Sequence, residues 1–251
     1  MSQTPQPFFK VSVKDFYSFF SYELEIDEPF KVAIVKGPNG IGKSLLLEAI
    51  ASIDDYNDAD IYERRKRYPS GLVSVKVGEI SEEADVKPMR GVTAEKHLAR
   101  IIYPVQTVEP EQLFNDTLKQ AVAKTISLVP DTHYIYVKQA EESEGDEFVV
   151  VTKDFTEYPL SMAGRGFINA FNIILNYSKY PTKLVLIDDI DALAMGPELL
   201  RGVLKLITDS GSIVIATATN DWVFNVATEV DKDAVLVNIV SKHKYETMRK
   251  E

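Results

Sequence analysis

The eight residues Gly37-Pro38-Asn39-Gly40-Ile41-Gly42-Lys43-Ser44 constrain this chain more than any other stretch. An apolar run, Val32-Ala33-Ile34-Val35, precedes them, and Leu45-Leu46-Leu47-Glu48-Ala49-Ile50 follows. That order predicts a strand, a glycine loop and a helix, the setting in which G-x-x-x-x-G-K-[ST] cradles phosphates. Glycines let the loop curl so that successive backbone N–H groups converge on one anion, and the helix N-terminus adds partial positive charge. In this reading residues from Gly37 to Leu45 line a nucleoside-triphosphate site, Lys43 reaches the β- and γ-phosphates, and the Ser44 hydroxyl ligates Mg²⁺. Asn39 suits either a γ-phosphate or partner contact, or a simple turn.

At 251 residues and 45% hydrophobic composition the chain has material for a large core, which excludes global disorder. No run approaches the roughly 20 apolar residues of a membrane span. The first ten residues lack the basic start and apolar stretch of a secretory signal, so a cytoplasmic protein is expected. The absence of cysteine excludes disulfides, thiolate metal sites and a cysteine nucleophile. A net charge of −10 argues against indiscriminate coating of nucleic acid.

Alternation predicts strands over 8–13 and 18–26, forming a hairpin, then a strand over 31–36 and a helix from Lys43 to about Ser52. Further strands are expected at 72–77, 101–103, 133–138, 147–152, 183–188, 212–217 and 234–240. Helices are expected within 109–128, from near Gly164 to before Pro181, and over 197–209. Residues 79–96 read as irregular. Strands alternating with helices imply an α/β fold with a mainly parallel sheet covered on both faces. The run Lys183-Leu184-Val185-Leu186-Ile187-Asp188-Asp189 reads as a strand ending in two carboxylates, either a buried strand closed by an acidic helix cap or, as in phosphate-loop ATPases, a strand beside the loop's own, the reading that the loop upstream favours. Asp188 then faces Mg²⁺ opposite Ser44, and Asp189 accepts a proton from the attacking water.

Between these motifs lies Leu160-Ser161-Met162-Ala163-Gly164-Arg165-Gly166, before a helical run. With the G-x-N-G-x-G-K-S loop and the opening Phe9-Lys10-Val11-Ser12-Val13-Lys14-Asp15-Phe16, the chain resembles an ABC-type ATPase head of the RecF, SMC and OLD-like branch. The resemblance covers 8–50 and 158–219 and is loose between them. It implies a P-loop NTPase fold with an antiparallel N-terminal β-subdomain, one ATPase domain over 1–251 carrying a variable insertion at 54–158, and ATP and Mg²⁺ as cofactors. It also implies an ATP-dependent homodimer in which Ser161 and the helix start at Gly164 meet the γ-phosphate held by the other copy. Gln106 is similar to a strand-ending glutamine that contacts Mg²⁺ and water, and equally suits a solvent-facing position after Pro104.

The match departs at four points. Asp189 stands where the family usually carries Glu, Thr219 stands nearest the position of a γ-phosphate-sensing His, Tyr17 replaces an arginine, and the segment Asp191–Pro197 after the acids differs by about one residue. An ATP-gated switch of weak turnover in DNA maintenance or defence is therefore expected, with a protein or nucleic-acid client and no membrane. A non-hydrolysing assembly protein and a transporter cassette are the alternatives. Arg64–Arg67 suits phosphates of nucleic acid or a solvated turn, and His97, His133 and His243 lack a second ligand at metal spacing.

Overall fold

The computed structural model describes residues 7–16, 20–53, 71–85, 99–102, 115–139, 146–241 and 244–249. Tyr17, Arg64–Arg67, His97, Gln106 and His243 lie outside them. In chain order the strands are β1 (Phe9–Phe16), β2 (Phe20–Ile26), β3 (Val32–Lys36), β4 (Leu72–Val77), β5 (Ile80–Asp85), β6 (Ala99–Ile102), β7 (Thr132–Lys138), β8 (Glu147–Thr152), β9 (Glu157–Pro159), β10 (Leu184–Ile187), β11 (Ile213–Ala218), β12 (Val235–Ser241) and β13 (Lys244–Met248). The helices are α1 (Lys43–Ala51), α2 (Asn115–Leu128), α3 (Arg165–Lys179), α4 (Pro197–Asp209) and α5 (Trp222–Val230).

The central sheet runs β13-β12-β3-β11-β10-β6. Strands β12, β3, β11, β10 and β6 are parallel, and β13 is antiparallel at one edge. One expectation is corrected here. The acid-bearing strand β10 is not beside the loop strand β3, because β11 hydrogen-bonds to both. Spacing along the sequence shows which strands exist but leaves their lateral order open, since a crossover can skip a place.

The central strands are apolar on both faces, which fits a sheet buried on each side. Val32 and Ile34 point into one core while Ala33 and Val35 point into the other, and β10 and β11 alternate in the same way. One face packs on α3, α4 and α5. The other packs on α1 and a second, antiparallel sheet ordered β2-β1-β4-β5. In β1, Phe9, Val11 and Val13 turn inward, whereas Lys10 faces out and bridges Glu23 and Glu25 of β2. A third antiparallel sheet, β7-β8-β9, closes over α3, where Phe148 meets Phe171 edge to face at 5.2 Å.

Four elements escape the pattern of the sequence. Strand β5 is made of ISEEAD, whose polar residues pair with β4 through the backbone. Strand β9 has three residues. Helix α5, WVFNVATEV, is a short and mostly apolar run, which periodicity alone does not separate from a strand. Strand β13 follows the last expected strand and is held by the Tyr245 hydroxyl, which accepts the Glu25 N–H at 2.8 Å.

Polar side chains anchor the edges of the frame. Asp231, buried after α5, accepts the N–H groups of Lys31 (2.6 Å) and Val32 (3.2 Å) and so fixes the start of the loop strand. Pro197 at the first turn of α4 supplies a preset φ where no N–H is needed. Among the described residues no helix is long and apolar enough to cross a membrane.

Phe171 is fully buried between α3 and the third sheet. Its replacement by Ala is expected to lower unfolding free energy by about 3–5 kcal/mol, read as a shifted urea midpoint with unchanged slope.

Candidate functional site

The sheet registers put three strand ends in one row. Lys36, just before the glycine loop, aligns with Ala218 of β11, and Ile187, just before the acids, aligns with Ala216. The loop, the end of β11 and the acid pair thus share the C-terminal edge of the sheet, where open parallel sheets place their ligands.

Loop geometry depends on two glycines in particular. Gly42 takes φ 108 at the start of α1, a conformation disfavoured for any side chain. At Gly37 an added Cβ would lie 2.9 Å from the Ile239 carbonyl oxygen, so only glycine lets the loop pass β12. The helix engages at once, with the Leu46 N–H bonded to the Gly42 carbonyl at 2.9 Å. Ile41 and Leu45 pack onto the core and pin the loop, while Pro38, Asn39 and Gly40 stay exposed. Lys43 is buried and donates to the carbonyls of Gly37 (3.0 Å) and Pro38 (3.4 Å), lying back along the loop. Ser44 follows it in the first turn of α1, half-buried.

Opposite the loop, the sequence missed Thr217. This residue is fully buried on β11. Its hydroxyl donates to Asp188 Oδ1 and accepts the Asp189 N–H at 2.7 Å, so one side chain fixes both acids. A threonine in an apolar strand reads as an ordinary β-former, and only the correct lateral order reveals its neighbours. Asp189 has left-handed backbone (φ 45, ψ 50), unusual outside glycine but tolerated by Asp. Partial burial, and then the Asp188 charge, push its carboxyl above the ordinary carboxylate range; Lys43 acts in the opposite sense and Asp191 adds to the rise. That is the direction a proton acceptor needs.

After the acids, a single 3-10 turn, Ile190–Leu193, carries Asp191. Asp191 Oδ2 accepts four hydrogen bonds: from the Thr219 N–H (3.0 Å) and hydroxyl (2.6 Å), and from the Asn220 N–H (3.0 Å) and side-chain amide (2.6 Å). Thr219 is therefore tied to Asp191. Lys36 pairs with Asp221, so the residues after β11 hold the entry of the loop as well.

The same turn seats the signature helix. Gly166 lies so close to the Ala194 carbonyl that an added Cβ would sit 2.4 Å from its oxygen. The Asn169 side chain donates to the Leu193 carbonyl at 2.7 Å. Ser161 sits in a 3-10 turn, Leu160–Met162, with Gly164 as the cap of α3; Ser161, Gly164 and Arg165 are exposed, and Met162 is 76% exposed. Among the described residues no hydrogen bond joins Ser161 or Gly164 to the 37–44 loop of the same chain. His133 meets Phe155 edge to face at 5.6 Å, and no described cluster of three His, Cys or acidic residues could hold a metal alone.

No protein-family model matches the chain. No curated protein matches it in sequence. Solved structures do match it. An SmcHead bound to the C-winged helix domain of ScpA superimposes with a TM-score of 0.64, at 14% identity, over 97% of this chain and 98% of that one. The fold is that of an SMC head domain. The SMC head domain from Thermotoga maritima gives 0.57 at 14% identity, over 96% and 98% of the two chains. A Pyrococcus furiosus Smc head with an extended coiled coil, bound to the C-terminal domain of ScpA, gives 0.61 at 13% identity, over 97% of each.

Asp191 yields a prediction about acid stability. Its burial acts to raise the carboxyl, but the bonds from Thr219 and Asn220 outweigh it and hold the group below its ordinary value of 3.8. A depressed carboxyl stabilises the fold above the unfolded value, and that contribution is lost as pH falls through the folded one. Asp191→Asn is expected to weaken the protein at pH 7 and to flatten the loss of stability below about pH 4, measured by urea titrations at several pH values.

Proposed function

We propose that this chain is an ATP-binding, Mg²⁺-dependent ATPase of slow turnover that acts as an ATP-gated dimerising switch, one ATPase domain with residues 54–158 as an insertion. The observation that carries the reading is the shared edge of β3, β11 and β10. It puts Thr217 and Asp188 with Asp189 at the same edge of the sheet as the loop that carries Lys43 and Ser44. ATP fits this edge in a defined sense. Apart from Pro38, which has no N–H, and Ile41, whose N–H bonds the Pro38 carbonyl, the loop N–H groups face the phosphates, and Lys43 exchanges two loop carbonyls for β- and γ-phosphate oxygens.

The donor set fits Mg²⁺. One carboxylate, Asp188, has its Oδ1 bonded by Thr217, Ser44 offers a hydroxyl, and among the described residues no closed cage of acids competes for a larger ion. Mg²⁺ bound there supplies neutralisation of charge developing on the phosphates. Asp189, aimed by its left-handed backbone, takes the proton of the attacking water as the bond between the β- and γ-phosphates breaks. The shorter Asp side chain places that base roughly 1 Å back from a glutamate, a misplacement on the order of a hundredfold in rate.

Ser161 and Gly164 lie exposed at the start of α3, apart from their own loop. This supports a head-to-tail pair in which they close on the ATP of a second copy. Two of the structurally similar heads carry a bound domain of ScpA, a second protein, which favours a protein client. A role in DNA maintenance or defence rests on the shared fold alone. The second reading, an assembly protein that binds ATP without cleaving it, is favoured by the same short acid at Asp189.

Lys43→Ala is expected to weaken ATP binding by roughly 100-fold; titration calorimetry showing wild-type affinity would refute the site. Asp189→Glu is expected to raise phosphate release severalfold, and Asp189→Asn to sediment as a dimer with ATP and Mg²⁺. A strict monomer under those conditions would remove the switch and leave a nucleotide-binding domain.

A further inference from the structure

One turn in the site carries more chemistry than its sequence suggests. Thr219 and Asn220 follow directly on β11, between the loop strand and the acid strand, at the ligand-binding edge of the sheet. A phosphate sensor there must donate a hydrogen bond, because phosphate oxygens accept only. The Thr219 hydroxyl has one hydrogen, and at 2.6 Å that hydrogen goes to Asp191 Oδ2. The backbone N–H groups of Thr219 and Asn220 are spent on the same oxygen. What the exposed Thr219 oxygen still offers is lone pairs, made more basic by the carboxylate behind it. A group that wants such an oxygen is itself a donor, and the donor in phosphoryl hydrolysis is water.

On the nucleotide reading above, we infer that Thr219, fixed by Asp191, orients the attacking water by accepting its hydrogen bond, and does not grasp the γ-phosphate. Thr219 touches the water; Asp191 acts through it and is a positioning residue. The water oxygen attacks the γ-phosphorus, one water proton stays hydrogen-bonded to Thr219, and the other passes to Asp189. The bond to the β-phosphate oxygen breaks and ADP leaves. The negative charge of Asp191 suits this division, since it repels a phosphate and leaves a neutral water undisturbed. The hydrogen bonds from Thr219 and Asn220 favour its charged form. Since Asp191 stands on the turn that seats α3 through Gly166 and Asn169, the water-orienting oxygen is held by the same piece of backbone as the signature helix.

The test is single-turnover cleavage of pre-bound ATP with Mg²⁺, beside binding of ATP and of ADP, in Thr219→Val, Thr219→Ser and Asp191→Ala. Thr219→Val is expected to slow cleavage by about 10- to 100-fold with both affinities within about threefold of wild type, and Thr219→Ser to restore the rate. Asp191→Ala frees the hydroxyl hydrogen, so it is expected to slow cleavage while raising the preference for ATP over ADP. That gain is expected to vanish in the Asp191→Ala/Thr219→Val double variant, which a merely structural role for Asp191 would not produce. Thr219→Val that loses ATP affinity but not ADP affinity, or that cleaves at the wild-type rate, overturns the inference. So does a wild type that binds ATP and shows no Lys43-dependent cleavage, with the nucleotide site left standing. Absence of ATP binding by wild type removes the nucleotide reading itself. If Asp191→Ala melts at the working temperature, the comparison of Thr219→Val with Thr219→Ser decides alone.

Discussion

A single buried hydroxyl sets the geometry on which this site depends. Thr217 lies on the strand between the loop and the acids, donates to Asp188 and accepts from the backbone of Asp189. Removed from water, such a pair of bonds is costly to leave unmade, so the acids cannot drift without exposing an unpaired polar group. The left-handed backbone at Asp189 is tolerable in that setting, because its N–H is already satisfied. Two neighbouring carboxylates would otherwise repel one another, and the raised carboxyl of Asp189, due to burial and then to Asp188, records that tension.

The strands can hold these positions because they are clamped from both sides. Alternate residues of β3, β10, β11 and β12 belong to two separate cores, one under α1 and the antiparallel sheet, the other under α3, α4 and α5. A one-residue slip of any central strand would exchange its two faces and place side chains shaped for one core into the other. Asp231 fixes the height of β3, and Lys36 with Asp221 fixes its exit. The loop is thus held at both ends, by β3 before it and by Ile41, Leu45 and the buried helix α1 after it, which is what a phosphate site assembled from backbone N–H groups needs.

Most of this frame was legible in the sequence for identifiable reasons. The glycine loop was clear because its residue types have few other uses in that order, and the helix over 197–209 because apolar spacing and a leading proline agree. The signature was read from Leu160, Ser161, Gly164 and Gly166, and the contact of Gly166 with Ala194 supplies a packing reason for the last of them. What stayed hidden depends on lateral neighbours. The position of β11 between β3 and β10 is a matter of crossover, so neither Thr217 nor the Asp191 clamp could be inferred from spacing. Strands β5 and β13 escaped because polar residues make edge strands whose pairing is carried by the backbone.

The tight fit at Gly166 has a mechanical meaning. With no room for even a methyl group against the Ala194 carbonyl, and with Asn169 bonded to the Leu193 carbonyl, the joint between α3 and the turn after the acids has no slack. Neither piece can shift at this contact without a clash at Gly166 or the loss of the Asn169 hydrogen bond, so the turn after the acids and the start of α3 share one seat.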